Sequence, residues 1–136
     1  MTDPKVDGQG EVGPRPENTM VAVLCYVPLL FFLPRVAAPD DGFARYHGRQ
    51  SLVLFLALVA VWVVIWFVDL LFGRMIGSVI LIGFLFRALA WLVHNVVGTV
   101  ATLCYFGMMI AGMVQAASGN RWTVPLLGGY ASRVGF

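Results

Sequence analysis

Two groups of residues in this chain have types and spacing that could do chemistry. The first is the run FARYHGRQ, residues 43–50, which sets Arg45, Tyr46, His47, Arg49 and Gln50 directly against a long apolar segment. If this run is already helical, neighbours three and four apart share a face, so Phe43, His47, Gln50 and Leu54 lie together while Arg45 and Arg49 lie on another side. The guanidinium groups suit lipid phosphate, and in the plainer reading they are simple anchors at a membrane interface. Of this run only His47 can change charge near neutral pH, which makes it a candidate proton or pH-sensing site. The plainer reading is an ordinary polar group that solvates the interface end of a helix. The second group is Asp69, Arg87 and His94, ionisable residues inside apolar sequence. Intramembrane charges pair with one another or face water. Asp69 and Arg87 could therefore meet across a helix bundle and, with His94, line a polar path. In the plainer reading Asp69 sits at the interface and Arg87 snorkels to it.

Neither group forms a catalytic constellation. The sequence has no glycine-rich phosphate loop, GxSxG or HExxH. His94 beside Asn95 reads as a helix-end or turn pair, and two histidines with few carboxylates provide no metal-ligand set. Cys25 and Cys104 lie in apolar runs without a CxxC, as buried free thiols would. No cofactor is expected.

The elements that must position these residues are membrane helices. Of 136 residues 60% are hydrophobic and only 12% charged, with mean hydropathy +0.84, a composition that cannot clothe a soluble surface. Residues 1–17 are polar and rich in Pro and Gly and read as a mobile tail carrying net −2, against +4 for the remainder. No signal peptide is expected there. Nucleic acid is not an indicated partner; the lipid bilayer is. The rest, 18–136, reads as one all-α integral membrane domain, a small bundle of four spans at 19–34, 51–72, 75–93 and 97–117, with a polar C-terminal segment at 118–136. Pro28 should kink the first span, Pro39-Asp40-Asp41-Gly42 should turn and cap the second, and Gly73, Arg74 and Gly77 should turn after it. The fourth span requires a tight reversal at His94-Asn95. The alternative has three spans, with an interfacial helix through Arg87 to Asn95 leading into one long helix. Trp122 and Tyr130 provide interface aromatics. Gly107, Gly112 and other small residues would allow close helix approach. No internal repeat is evident.

Three segments together, NTMVAVLCYVPLLFFLP, FARYHGRQSLVLFL and ASGNRWTVPLLGGYASRV, resemble the family that includes the twenty-kilodalton translocon subunit of the chloroplast inner envelope, its small bacterial relatives of unknown function and some magnetosome membrane proteins. The more specific parts are Tyr46, His47 and Gln50, and the ending Gly119, Trp122, Pro125 and Leu126. Gly48 between His47 and Arg49 departs from the pattern. The resemblance implies a non-enzymatic helical bundle with both termini on one side, working within a larger complex, and marks His47 and Gln50 as a pair. The expectation is a multi-pass protein of the bacterial inner membrane, a scaffold or accessory subunit contacting other membrane proteins, with an oligomeric channel, transporter or protein-translocation component as the alternative. Arg45, Tyr46, His47, Arg49, Gln50, Trp122 and Pro125 would form the docking or structural polar site.

Overall fold

The computed structural model describes residues 16–76 and 82–133, and among them the chain is helical with no strand. In order come α1 (Pro16–Leu24), α2 (Leu33–Ala37), α3 (Gly42–Val68), a π-helical segment (Asp69–Met75), α4 (Gly83–Leu92), a second π-helical segment (Val93–Val97), α5 (Gly98–Ala117) and α6 (Gly128–Ala131). The tail expected at 1–17 lies outside the described residues up to Arg15, as does the turn glycine Gly77.

The expected first span does not run as one helix. Pro28 has no N–H to offer the Leu24 carbonyl, which instead accepts from Val27 N–H at 3.1 Å. The chain then turns: Leu30 N–H donates to the Val27 carbonyl at 2.9 Å, with Leu29 held at φ 70°. The Cys25 carbonyl is covered by the Ser51 hydroxyl at 2.6 Å. Nine residues of helix and a five-residue helix replace the predicted span 19–34. Asn18 lies inside α1 and its amide donates to Asp41.

The start of the second long helix behaves as its sequence suggests. Asp41 Oδ1 accepts from the N–H groups of Phe43 and Ala44 at 2.8 and 3.0 Å, occupying donors that the first turn leaves without intrahelical partners. The helix then continues past the expected stop. Gly73 and Arg74 lie within its π-helical end, and 42–75 form 34 helical residues, about 50 Å at 1.5 Å per residue.

The reversal expected at His94-Asn95 is also absent, because 83–117 run as one 35-residue helix through the second π segment. No Gly or Pro interrupts Phe84 to Val97. The Asn95 amide donates to the Trp91 carbonyl one turn back, at 2.8 Å, so this polar side chain serves its own helix rather than ending it. Spans 75–93 and 97–117 are thus not separate helices. Two helices of the described chain are long and apolar enough to cross a membrane, each well beyond the ~20 residues required.

The chain divides into two units, residues 1–54 with 108–136, and residues 55–107. In the first, Ala22, Cys25 and Tyr26 of the α1 region pack with Phe43, Ala44 and Ala116, and Met109 and Met113 close the edge. Small residues permit the approach. An ideal Cβ on Gly112 would fall 2.3 Å from the Tyr26 ring. One on Gly48 would fall 3.1 Å from Pro34, so 31–34 lie close against α3 at that residue. In the second unit, Ile65 is buried and close to Gly98, Phe72 stacks on Phe86 at 5.6 Å, and Gly73 faces Ala90. Most other large apolar side chains of this unit, such as Trp66, Phe84 and Trp91, are exposed. Cys25 is a buried free thiol. Cys104 is free but exposed, so burial holds for only one of the pair.

Candidate functional site

The face of α3 read from spacing is the buried one: Phe43, His47, Gln50 and Leu54 are each at most 5% exposed, whereas Arg45 is exposed. What the face packs against is assembled by the end of α5. There Gly119, at φ 75°, closes a Schellman motif: Asn120 N–H donates to the Gln115 carbonyl and Gly119 N–H to the Ala116 carbonyl, both at 3.0 Å. That turn aims the Asn120 carbonyl at α3. His47 Nε2 lies 3.0 Å from it, and Nδ1 lies 3.0 Å from the Tyr26 hydroxyl. A carbonyl can only accept, so Nε2 carries the proton, and Nδ1 accepts from Tyr26 O–H. One neutral tautomer satisfies both ends of a fully buried imidazole. Phe43, Tyr26 and Tyr46 surround the ring edge to face, at centroid distances of 4.7, 5.8 and 5.5 Å.

Gln50 and Ser51 extend the same lock. Gln50 Oε1 accepts from Val124 N–H at 3.1 Å and Ser51 covers the Cys25 carbonyl. At the surface, the Tyr46 and Thr123 hydroxyls are 2.8 Å apart. Three segments far apart in sequence, the α1 region, the head of α3 and 120–124, are therefore tied by hydrogen bonds that leave no buried side-chain polar atom without a partner among the described residues. Of the other expected site residues, Arg49 and Trp122 are half-buried, and Pro125 is exposed. His47 and Gln50 turn toward neighbouring segments of their own chain.

Sequence inspection missed a recurrence around this site. The tetrapeptide Val-Pro-Leu-Leu occurs at 27–30 and again at 124–127, and both copies hold the first leucine in the left-handed region, Leu29 at φ 70° and Leu126 at φ 66°. Both side chains project outward, Leu126 almost completely, at 94% exposure. For a non-glycine residue this conformation costs of order 1 kcal/mol. The visible signal was Pro followed by a position that the turn forces to positive φ.

The second group of expected residues assembles differently. Asp69 and His94 each lie on a π-helical segment, a local widening often found at functional positions. They are joined by a 2.6 Å bond from His94 Nδ1 to Asp69 Oδ2. The side chains are 47% and 36% exposed. Asp69 thus pairs with His94, not with Arg87, which is exposed on α4. The Trp62 ring meets His94 edge to face at 5.5 Å, and a cavity of about 300 Å³ opens beside them, lined by Trp62, His94, Asn95, Thr99 and Thr102. The Thr102 hydroxyl donates to the Gly98 carbonyl at 2.8 Å. A carboxylate that fixes one imidazole nitrogen directs the other outward, the arrangement that orients histidine ligands and bases. Among the described residues no group of three or more His, Cys, Asp or Glu could hold a metal ion.

Comparison with known proteins gives one informative match. The chain is 26% identical over 121 residues, 86% of its own length and 69% of the relative's, to a UPF0132 membrane protein of Methanocaldococcus jannaschii. No family model matches the chain, and no solved structure matches it significantly. With the two long apolar helices, this similarity defines a small all-helical membrane protein.

Proposed function

We propose that this chain is a non-enzymatic, multi-pass protein of the bacterial inner membrane that serves as a scaffold or accessory subunit of a larger membrane complex. One observation carries the reading. His47 and the Gln50 carbonyl of the α3 head are bonded to partners inside the chain, while only 17% of the most apolar stretch of each long helix is buried. The polar lock makes a defined body, and the helix sides are left for lipid and for the helices of other proteins. Docking through those sides replaces docking through His47 itself. A protein-translocation role belongs with the alternative, transport reading and rests on the sequence resemblance alone.

The test is purification of the full chain from its host into nanodiscs, with mass and co-purifying proteins determined. A fixed stoichiometric partner supports the reading; a clean homo-oligomer would overturn it. That second result would favour transport, which the Asp69–His94 pair beside its threonine-lined cavity supports as an alternative. Four or fewer helices enclose no wide pore, so transport would need several copies. Reactivity of a cysteine placed at Asp69 or Arg87 toward a water-borne reagent separates the two, since a conducting path requires water at that depth.

A further inference from the structure

We propose that the cavity beside His94 binds the ammonium group of a small amphiphilic amine, whose apolar body lies in the neighbouring hollow on α3. The cavity, about 300 Å³, is lined by Trp62, His94, Asn95, Thr99 and Thr102. A second hollow, about 410 Å³, has purely apolar walls, among them Leu58, Val63 and Trp66. Trp62 belongs to both, and all of these residues lie within the second unit. Gly98 leaves room for it: an ideal Cβ there would fall 3.2 Å from the Trp62 ring. A polar hollow and an apolar one thus share an aromatic wall, which suits a ligand with one charged end and one apolar end.

The groups around the polar hollow set the sign of that charge. Asp69 stands behind the imidazole, bonded to Nδ1 at 2.6 Å. No lysine or arginine lines either hollow. The two arginines of this unit, Arg74 and Arg87, are exposed, and neither forms an ion pair with Asp69. Among apolar walls that carboxylate attracts a cation more strongly than it would in water. Trp62 acts in the same sense, since an indole face attracts an ammonium through its quadrupole. A lipid phosphate would meet the same carboxylate with no cation to hold it.

The hydrogen-bonding groups fit a primary ammonium, which has three N–H donors to place. With Nδ1–H given to Asp69, Nε2 of the neutral ring has a lone pair, and no described side chain or backbone group bonds to it. The Asn95 amide nitrogen donates to the Trp91 carbonyl, which leaves Oδ1 to accept. The Thr102 hydroxyl donates to the Gly98 carbonyl, which leaves the lone pairs of its oxygen. Each bond made within the chain uses a donor, so what remains for the cavity is chiefly acceptors.

The experiment titrates the tag-free full chain, in a maltoside detergent at a pH of about 8.5, with 2-phenylethylamine. At that pH an ordinary imidazole is neutral and an aliphatic amine is charged. The readout is the imidazole NMR signals of the chain's two histidines, with buried His47 as internal reference. A saturable shift of His94 with His47 unmoved is expected; no shift, or equal shifts of both, overturns the proposal. 2-Phenylethanol, which keeps the body without the charge, should bind at least about tenfold more weakly. Methylamine, which keeps the charge without the body, should also lose at least about tenfold. Equal affinity for either one refutes the amphiphilic site. Asp69→Asn should weaken 2-phenylethylamine about tenfold, and undiminished binding would refute the role of the carboxylate. Saturation by dioctanoyl phosphatidylethanolamine at lower concentration than the amine would assign the cavity to a lipid headgroup and overturn the proposal. The site makes no demand on a partner subunit, so its failure leaves the scaffold reading standing.

Discussion

The two histidines of this chain occupy opposite kinds of environment. His47 is wholly buried, flanked by three aromatic rings, and bonded at both nitrogens to neutral groups, a tyrosine hydroxyl and a backbone carbonyl. His94 is about half exposed, bonded at one nitrogen to a carboxylate, and faces a cavity with threonine and asparagine walls. The first is held in one protonation state and one orientation because its bonds fit the neutral tautomer, so its role is to join segments. The second has a carboxylate partner that orients its ring, and room for something to reach it. Resemblance drew attention to the first, yet the second has the geometry that chemistry or transport would use.

The largest effect expected from this contrast comes from His47→Ala. Removing the ring leaves the Tyr26 hydroxyl and the Asn120 carbonyl without their partner and opens a cavity, which should destabilise the first unit by about 3–5 kcal/mol. Equilibrium unfolding in detergent would measure it, and a loss no greater than that of His94→Ala would end the distinction between the two histidines. Next is Gly112→Ala, which drives a methyl group into the Tyr26 ring and should cost about 1–3 kcal/mol. Gly107→Ala, with nothing within 4 Å of its Cβ, is the matched control and should be neutral or slightly stabilising. Ser51→Ala exposes a carbonyl that α1 cannot satisfy for itself and should cost about 1–2 kcal/mol by the same assay. The smallest effect belongs to Asp69→Asn. An exposed pair contributes at most about 1 kcal/mol, so stability should barely move. What should change is the orientation of the His94 ring, followed through the line widths of its imidazole NMR signals; identical spectra in wild type and variant would show that the pair does nothing for the ring.

Much of the candidate site is legible in the sequence. The three- and four-residue spacing in FARYHGRQ assigns His47 and Gln50 to the face with Phe43 and Leu54, and the structure buries that face. Pro-Asp-Asp-Gly announced the start of α3, and Pro28 announced a break. Proline alone predicts a kink, whereas Val-Pro-Leu-Leu makes a full turn with a left-handed leucine in both copies. At His94-Asn95 the opposite error arose. Two adjacent polar residues in apolar sequence suggest a turn, but a short side chain that bonds its own backbone can stay within a helix.

Composition and periodicity, read from the chain alone, determined that it is helical, that it belongs in a membrane, and which side of α3 is wet. These are local properties, set by hydrogen-bond closure within a segment and by the transfer of side chains from water. Tertiary structure alone decided the partners. His47 bonds a carbonyl 73 residues away and Asp69 a histidine 25 residues away. Those choices depend on where the turns after α1 and α5 direct the backbone, and a side chain's own sequence neighbourhood contains no trace of that direction.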